Sequence, residues 1–573
     1  MSGTWMILAG QALVLITVAT SWNLVGGYLG CIDLGHVAYF GLGGYGIGLT
    51  MAGLGWGLPA ALAAGVVLAA GAAATVGAAV LRLRGPTFAI ATLGVLVGIR
   101  ELVRVAEPLT RGGRGLVLPP LRPAVFFVAA AALFGAAVLV SWRLRRTSLW
   151  PVLLAVRHDE PAAAARGIPT MACKHAVFTV AAAVTGAAGG LWAFQSTFID
   201  PDLAFADARG LDMLTGPLLG GLGTVTGPVV GGLVLFAARA LPWLPVGPYV
   251  VLLQGLVLIA VVRWLPRGLV GGRAGERAVE DLLGGPGNRA QQPAPGPGPG
   301  VPVPRPEAGA PVPRPAPVVP VPRPPAGVAE PVLEVRGLRL RIDGATVLDN
   351  LDLTVSGGEI LGVIGPNGSG KTTLVDCLSR LRRVDAGRIT LAGREITRYP
   401  PHRVARSGLA RTFQERRVYR DLTLVENVLL GGVWPLASVG RPAPAPVQQR
   451  ARSLLADLGL APVADTAVAE ISAAEQRLLE VAMALMLSPK VLVLDEASAG
   501  VESGHVATVK AIARSCASDG MAVIVVEHDI GVVADLCHRV VVLNHGRIVA
   551  EGTPASVVAS EAIETAYFGT DGG

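Results

Sequence analysis

Two long stretches near the start of this chain lack charged side chains altogether. Residues 1–32 and 34–81 contain no Asp, Glu, Lys or Arg, although 16% of the 573 residues are charged and charges occur at ordinary density beyond residue 330. Soluble domains place charged side chains over their surface. These stretches therefore exclude an ordinary soluble N-terminal half and indicate segments embedded in a membrane.

Cysteine is also scarce, and its spacing excludes the common metal and redox motifs. The five cysteines form no CxxC pair or other metal-ligand spacing, so we expect isolated reduced thiols. The N-terminus lacks the positive region of a cleaved signal peptide. The apolar run that begins at Trp5 is therefore predicted to be a retained first span.

Lysine is nearly absent, so arginine supplies almost all of the positive charge. The chain has four Lys and a net charge of +7. The arginines flank apolar runs or lie in a proline-rich stretch, which is typical of the cytoplasmic loops of membrane proteins. We therefore expect membrane lipid, and no nucleic acid, among the partners.

Apolar windows long enough to cross a membrane fill the first half of the chain. A helical span needs about 20 apolar residues. The window 34–81 has room for two spans, and 85–99 is a shorter candidate between two arginines. Counting these, we predict about eight membrane segments, and the remaining windows are 4–32, 123–142, 175–199, 213–238 and 240–262.

The charged loops predict the side of the membrane on which each segment ends. Basic residues cluster in 143–174 and again after residue 262, which predicts cytoplasmic loops, and acidic residues cluster in 200–212. Because both basic segments are cytoplasmic, the chain must cross the membrane an even number of times between them. Three apolar windows lie in this stretch. We expect 213–238 to be broken at Gly220–Thr224, as a re-entrant or split helix. Close helix packing through small residues is the alternative.

A single histidine, His36, lies within an apolar span. It could bind a substrate, but we expect it to be a packed histidine with satisfied hydrogen bonds. Residues 284–330 are Pro, Gly, Ala and Val with scattered Arg. This composition cannot bury a core and favours extended polyproline structure, so we expect a tether between two domains.

A phosphate-binding motif follows the linker. The sequence EILGVIGPNGSGKTTLVDCL reads as an apolar strand, a Gly-rich loop and a helix, and the loop fits GxxxxGK[ST]. Backbone N–H groups of such a loop surround phosphates at a helix N-terminus, a lysine reaches the β- and γ-phosphates, and a hydroxyl binds Mg²⁺. The predicted nucleotide-binding residues are Gly365, Pro366, Asn367, Gly368, Ser369, Gly370, Lys371, Thr372 and Thr373.

Two consecutive carboxylates end a second apolar strand, KVLVLDE. Asp495 is predicted to hold Mg²⁺ together with Thr372, and Glu496 to activate the attacking water as the catalytic base. Paired acids at the end of a buried strand could be structural. Behind a phosphate-binding loop, catalysis is the better interpretation.

With these motifs, residues 332–573 closely resemble the ATP-binding cassette (ABC) family. Gln414 in ARTFQ matches the Q-loop that contacts Mg²⁺, His528 in VIVVEHD matches the switch histidine that contacts the γ-phosphate, and 499–503 matches the D-loop. The stretches ARTFQ, LTLVENVLLG and AIETAYFG look like the ATPases of branched-chain amino-acid importers. The family signature, which binds the partner's ATP, corresponds to Ser472, Ala473, Ala474 and Glu475.

Several positions depart from the family pattern. Ala474 replaces the second glycine of the signature, and Glu475 places an acid where the family has glutamine. Met483 replaces an arginine, Ala497 replaces a proline, and Ile342 stands where an aromatic residue stacks on adenine. The resemblance therefore predicts intact phosphate chemistry with a weakened signature and adenine contact.

Several stretches of the first half resemble the permease of the same importers, including GGYLGCIDLGHVAYFGLGGYG and LLGGLGTVTGPVVGG. The stretch AVRHDEPAAAARGIPTMACKHAVF resembles the cytoplasmic coupling loop, whose short helix docks on an ATPase near the Q-loop. We assign this loop to 155–174. Ala162–Ala165 favour a thin helix there, and the neighbouring charged residues give it polar ends.

The predicted fold class is an α-helical polytopic membrane domain joined to an α/β P-loop NTPase domain of the ABC type. The boundaries are 1–283 for the permease, 284–330 for the linker and 331–573 for the ATPase. The resemblance implies ATP and Mg²⁺ as cofactors. It also implies a multi-pass protein of the cell membrane with a cytoplasmic ATPase, a second permease, a second ATPase of a different chain, and an extracellular or periplasmic binding protein.

The predicted function is ATP-driven import of branched-chain amino acids or related small polar solutes. Urea, amides and other amino or carboxylic acids are alternative substrates within the same family. An exporter and a non-transporting regulator are alternatives of another class. The importer-type coupling loop and the lack of long cytoplasmic helical extensions argue against an exporter.

Overall fold

The computed structural model describes residues 3–240, 250–265, 268–270, 331–432, 443–496 and 503–559. Five sequence predictions fall outside these residues: the extended linker 284–330, Ala497, D-loop residues 499–502, the AIETAYFG motif and the arginines after Leu265. The chain forms two compact units. One contains the described residues of Met1–His158 and Thr170–Ala290, and the other contains Asp159–Pro169 with the described residues from 331 onward.

The first unit is helical. Its helix α1 continues into a π-helical turn at Leu24–Tyr28, and two short strands, β1 (Leu116–Val117) and β2 (Phe198–Ile199), pair antiparallel. The helices are α1 Gly3–Asn23, α2 Val37–Leu54, α3 Leu58–Val80, α4 Gly85–Val105, α5 Glu107–Thr110, α6 Pro123–Arg146, α7 Leu149–His158, α9 Thr170–Ser196, α10 Pro201–Ala204, α11 Asp207–Gly220, α12 Gly227–Ala240 and α13 Val250–Trp264, while α8 Glu160–Ala165 belongs to the second unit.

Five of the described helices, α1, α2, α3, α6 and α9, are long and apolar enough to cross a membrane. They correspond to the predicted windows 4–32, 34–81, 123–142 and 175–199, including the two spans expected in 34–81. Helix α4 has 21 residues but is not among the five, and α11, α12 and α13 are shorter. The count of about eight segments therefore stays a prediction.

The predicted break in the window 213–238 is confirmed. Helix α11 ends at Gly220 and α12 begins at Gly227, and Gly221 (φ +139°) and Gly223 (φ +81°) take backbone angles that favour glycine. The two helices also pack closely, because a Cβ on Gly220 would lie 1.7 Å from the carbonyl oxygen of Gly227. Both readings of these glycines, helix break and close packing, therefore hold.

His36 is a satisfied packing histidine, as predicted. It is 1% exposed, its Nδ1 lies 2.9 Å from Asp33 Oδ2, and its Nε2 lies 2.8 Å from Thr185 Oγ1. Both ring nitrogens are thus engaged by the protein. None of the five cysteines forms a disulfide in the described structure, as expected.

The second unit is an α/β domain with two sheets. The six-stranded sheet has the order β12-β11-β5-β10-β9-β8, and the four-stranded antiparallel sheet has the order β4-β3-β6-β7. The strands are β3 Pro331–Ile342, β4 Ala345–Ser356, β5 Ile360–Ile364, β6 Ala386–Leu391, β7 Arg394–Glu395, β8 Leu409–Arg411, β9 Val491–Asp495, β10 Ala522–Val526, β11 Arg539–Asn544 and β12 Arg547–Gly552. The helices are α14 Lys371–Leu378, α15 Pro401–Ser407, α16 Leu424–Gly432, α17 Ala445–Asp457, α18 Ala473–Leu485, α19 Ser503–Ser518, α20 Ile530–Leu536 and α21 Pro554–Val558.

The core strands of the larger sheet are continuous apolar runs because they are covered on both faces. Strands β5, β9 and β10 are buried along their whole length and pair in parallel. In register, Val526 of β10 lies beside Val363 of β5 and Asp495 of β9. The loops that follow these strands therefore leave the sheet at one edge, which is where open α/β sheets bind ligands.

Candidate ATP site and coupling segment

The phosphate-binding loop connects β5 to α14 at this edge of the sheet. Gly365, Gly368 and Gly370 all have positive φ, and a Cβ on Gly365 would lie 2.1 Å from the Leu543 carbonyl oxygen. Only glycine fits there without displacing the backbone. The loop then enters α14 with Lys371 as its first residue, which places a helix N-terminus at the loop.

Lys371 is held inside the loop. Its Nζ donates to the carbonyl oxygens of Gly365 (2.7 Å) and Pro366 (3.0 Å). Burial lowers its pKa, while Glu496 and Asp495 act in the opposite direction. The ammonium group thus lies at the loop that is predicted to hold the phosphates. Thr372, the predicted Mg²⁺ ligand beside it, is exposed.

Asp495 and Glu496 differ sharply in their surroundings. Asp495 is 1% exposed and accepts a hydrogen bond from Arg411 (3.0 Å), and burial raises its pKa to about 6. Its Oδ1 is buried and has no hydrogen-bond partner among the described residues. Glu496 lies just past the strand with φ +46°, a strained backbone angle for a non-glycine residue. Its side chain reaches the Gln414 side chain at 3.2 Å.

The structure brings most of the predicted catalytic residues to one place. Gln414 follows β8, Glu496 follows β9, and His528 follows β10, and all three strands are parallel neighbours. The His528 side chain is 62% exposed, and its Nδ1 lies 3.9 Å from Glu527 Oε2. Ile342, at the predicted adenine position, packs partly buried against the core.

The signature residues form the start of α18. Ser472 caps this helix, its hydroxyl accepts from the Glu475 backbone N–H, and the Glu475 carboxylate accepts from the Ser472 backbone N–H. This reciprocal arrangement is a capping box. The Glu475 carboxylate is therefore turned back onto its own helix. Among the described residues, no hydrogen bond or ion pair joins Ser472–Glu475 to the phosphate-binding loop.

Two buried arginines that the sequence reading did not select hold the site together. Arg411 pairs with Asp495 (3.0 Å) and with Asp376 (2.6 Å). Arg477 donates to the backbone carbonyls of Phe413, Gln414 and Glu496 at 2.6, 3.1 and 3.0 Å. The available signal was an arginine within a short apolar strand and another at the head of an apolar helix.

The segment Asp159–Pro169, within the predicted coupling loop, folds as part of the ATPase unit. Its helix α8 is capped by Asp159, which also pairs with Arg417 at 2.9 Å. Ala162 and Ala165 pack against Phe413, next to Gln414. Within this unit, α8 therefore lies next to the Q-loop residue Gln414, and its coupling role stays a prediction.

Arg166 anchors the end of this coupling segment. It is 5% exposed, donates to Tyr419 Oη at 2.8 Å and to the Arg417 carbonyl oxygen, and lies over the Tyr419 ring. Its guanidinium also lies 3.9 Å from Glu480 Oε1. Glu480 pairs in turn with Arg477 at 3.0 Å, and burial raises its pKa despite these arginines. A continuous polar path thus runs from the coupling segment to the backbone of Glu496.

Both halves of the chain match known families. Residues 5–262 match the family described as the permease component of the branched-chain amino acid transport system, and residues 348–499 match the ABC transporter family. A solved structure titled as the ADP conformation of MJ1267, an ATP-binding cassette of an ABC transporter, matches with 28% identity and a TM-score of 0.38, covering 42% of this chain and 99% of that one.

Curated relatives match the C-terminal part over nearly their whole length. The high-affinity branched-chain amino acid transport ATP-binding protein BraF of Pseudomonas aeruginosa is 32% identical over 254 residues, which is 42% of this chain and 99% of that protein. LivG of Escherichia coli, of the same description, is 31% identical with the same coverage. The lipopolysaccharide export system ATP-binding protein LptB of Acidithiobacillus ferridurans is 34% identical over 39% of this chain and 90% of that protein. The chain therefore belongs to the branched-chain amino-acid ABC importer family, with permease and ATPase joined in one polypeptide.

Proposed function

We propose that this chain imports a branched-chain amino acid, or a related small polar solute, across the cell membrane with energy from ATP hydrolysis. The observation that carries the proposal is the coupling segment Asp159–Pro169. It interrupts the helical unit in the sequence, yet it packs within the ATPase unit against the Q-loop. This arrangement favours a transporter over a regulator that does not transport.

In this proposal the phosphate-binding loop and Lys371 hold the phosphates of ATP. The unpartnered, buried Oδ1 of Asp495 fits a role toward Mg²⁺, because hydrated cations satisfy such oxygens. Thr372 and Gln414 would complete that site, and bound Mg²⁺ would neutralise charge on the phosphates. Asp495 itself is kept in place by Arg411.

Glu496 is proposed as the base that accepts a proton from the attacking water, and His528 as the contact to the γ-phosphate. Gln414 holds the Glu496 carboxylate at 3.2 Å, and Arg477 holds the Glu496 carbonyl oxygen. These contacts would position Glu496 without neutralising its carboxylate. The exposure of His528 leaves its ring accessible from solution.

No hydrogen bond or ion pair among the described residues joins the signature to this chain's own phosphate-binding loop. We therefore propose that the signature serves ATP bound by a second ATPase. That second ATPase, a second permease and an extracellular or periplasmic binding protein would complete the transporter. The membrane would be the cell membrane, with the ATPase in the cytoplasm. The polar path from Arg166 to Glu496 would connect hydrolysis to the coupling segment.

Solute-stimulated ATP hydrolysis tests the proposal. The assembled transporter is placed in lipid vesicles, and hydrolysis is measured with binding protein and leucine, with urea, and with neither. We expect leucine to raise turnover several-fold over the rate without solute. If only urea or an amide stimulates hydrolysis, that solute is the substrate instead of leucine. If no solute stimulates hydrolysis, the result supports a regulator.

A further inference from the structure

The helical unit contains a partly open cavity of about 370 Å³ between α1, α2, α6, α9, α11 and α12. This volume lies in the range of pockets that bind small molecules. Most of the wall is apolar, from leucine, valine, methionine and aromatic side chains. Five polar side chains interrupt it: Gln11, Gln195, Arg209, Asp212 and Arg239.

Two of these polar groups neutralise each other. Arg239 bonds to both carboxylate oxygens of Asp212, with 2.7 Å to Oδ2. Gln254 also donates to Asp212 Oδ1 at 3.0 Å and to Thr215 Oγ1 at 3.1 Å. Asp212, the one carboxylate among the described lining residues, is thus already committed to one arginine and fixed by an amide.

Arg209 is the cation that remains. Among the described residues it has no carboxylate within ion-pair distance, and its one hydrogen bond runs from Nε to the Leu203 carbonyl oxygen at 3.2 Å. Its Cζ lies 3.8 Å from the centre of the Trp192 ring and 5.3 Å from that of Phe40. The aromatic rings hold the guanidinium flat, which leaves its terminal N–H groups available for a planar anion.

The two glutamines point to a polar occupant as well. Gln11 and Gln195 line the cavity, and their side chains form no hydrogen bond with any of the described residues. An amide can donate to an anionic oxygen or accept from an ammonium group. Among the described lining residues, the cavity therefore combines one positive charge more than its carboxylate neutralises, two adaptable amides and an apolar wall.

We propose that this cavity is a solute-binding site for a small aliphatic molecule with a carboxylate, and that Arg209 binds the carboxylate. The aliphatic chain packs on the apolar wall, and the Asp212–Arg239–Gln254 cluster keeps the wall in shape without engaging the solute's charge. This inference rests on the proposed import function, since it gives the permease a site for the transported solute. It favours amino acids over urea and amides, which carry no anion.

The test uses the full chain in lipid nanodiscs and follows tryptophan fluorescence during titration with L-leucine. A carboxylate that draws Arg209 from the Trp192 ring should change the emission of Trp192, so Trp192→Phe should remove the signal. We expect saturable binding of L-leucine and none of L-leucinamide, which lacks the carboxylate. Equal binding of the two would overturn the proposal.

Arg209→Gln should raise the dissociation constant for L-leucine about tenfold or more, since it removes the charge. Arg209→Lys should give an intermediate value, because it keeps the charge and loses the planar fork. The matched control is Arg122→Gln, which changes an exposed arginine outside the cavity. Basal ATP hydrolysis of each variant shows that the chain has folded.

Unchanged L-leucine affinity in Arg209→Gln, or no binding to the unmodified chain, would refute the site. The proposed function is tested by a separate outcome. If the assembled transporter imports leucine with the same KM in Arg209→Gln, the import function is supported and the binding site in the cavity is refuted. If the chain binds L-leucine through Arg209 but the assembled transporter moves none, the binding site is supported and the import function is refuted.

Discussion

At the scale of single residues, Arg477 is the side chain that holds the hydrolytic site in order. It reaches three backbone carbonyls that belong to the Q-loop and to Glu496, and it pairs with Glu480. Each of these is a charge-assisted hydrogen bond in a buried or part-buried setting, where such bonds are stronger than in water. The position of Glu496, the proposed base, thus depends on Arg477.

The first prediction concerns Glu496. Glu496→Gln should preserve ATP binding and slow hydrolysis about 10²–10⁴-fold, because the amide keeps the shape but cannot accept the proton. Nucleotide binding and steady-state hydrolysis are measured on the same preparation. Glu415→Gln, an exposed neighbour of Gln414, is the matched control and should change neither. Hydrolysis near the original rate in Glu496→Gln would move the base elsewhere.

The second prediction concerns the signature. Glu475 caps its own helix, and glutamine serves equally at this position of a capping box, so Glu475→Gln changes the charge while the helix start is kept. Together with Ala474→Gly it should raise turnover at the site that this signature serves. The measurement uses a Glu496→Gln background, which silences this chain's own site. Equal residual rates with and without the double change would show that the departures are neutral.

At the scale of elements, the coupling segment depends on Arg166. Arg166→Ala removes the bond to Tyr419 and the contact with Glu480, for a loss of docking free energy on the order of 2 kcal/mol. Basal hydrolysis should persist while solute stimulation falls to near zero. The control Arg403→Ala removes an exposed arginine from α15 and should leave stimulation intact. Full solute stimulation in Arg166→Ala would show that the anchoring of this segment by Arg166 is not needed for coupling.

The broken helix pair α11–α12 gives the fourth prediction. Gly220→Ala places a methyl group 1.7 Å from the Gly227 carbonyl oxygen, so the pair must separate, at a cost of about 1–3 kcal/mol. Gly94→Ala is the control, because a Cβ there meets nothing within 4 Å. Thermal unfolding in nanodiscs should show a lower Tm for Gly220→Ala alone. Equal Tm values would mean that the close approach is not needed for stability.

Elements with strong local signals could be predicted from the sequence, and contacts between distant residues could not. Local composition predicts the apolar spans and the break at the glycines, and a fixed motif spacing predicts the phosphate-binding loop. The capping role of Glu475 follows from the local Ser-x-x-Glu spacing alone. The bonds of Arg166 to residues some 250 positions away follow from folding, and no local pattern carries them.

At the scale of the whole molecule, the fusion places a permease and its ATPase in one polypeptide. The family implies that further subunits assemble with this chain to form the transporter. The chain contributes the predicted phosphate-binding and hydrolytic residues together with the segment Asp159–Pro169, which packs within the ATPase unit. For the molecule as a whole we therefore propose inward transport driven by ATP hydrolysis, with Glu496 as the base.

The most direct test is uptake of radiolabelled L-leucine into proteoliposomes that contain the assembled transporter. ATP is enclosed inside, and the binding protein and leucine are added outside. We predict accumulation that requires enclosed ATP and is lost in Glu496→Gln, while Glu415→Gln accumulates leucine normally. Equal accumulation in Glu496→Gln, or movement of leucine outward instead of inward, would contradict the account.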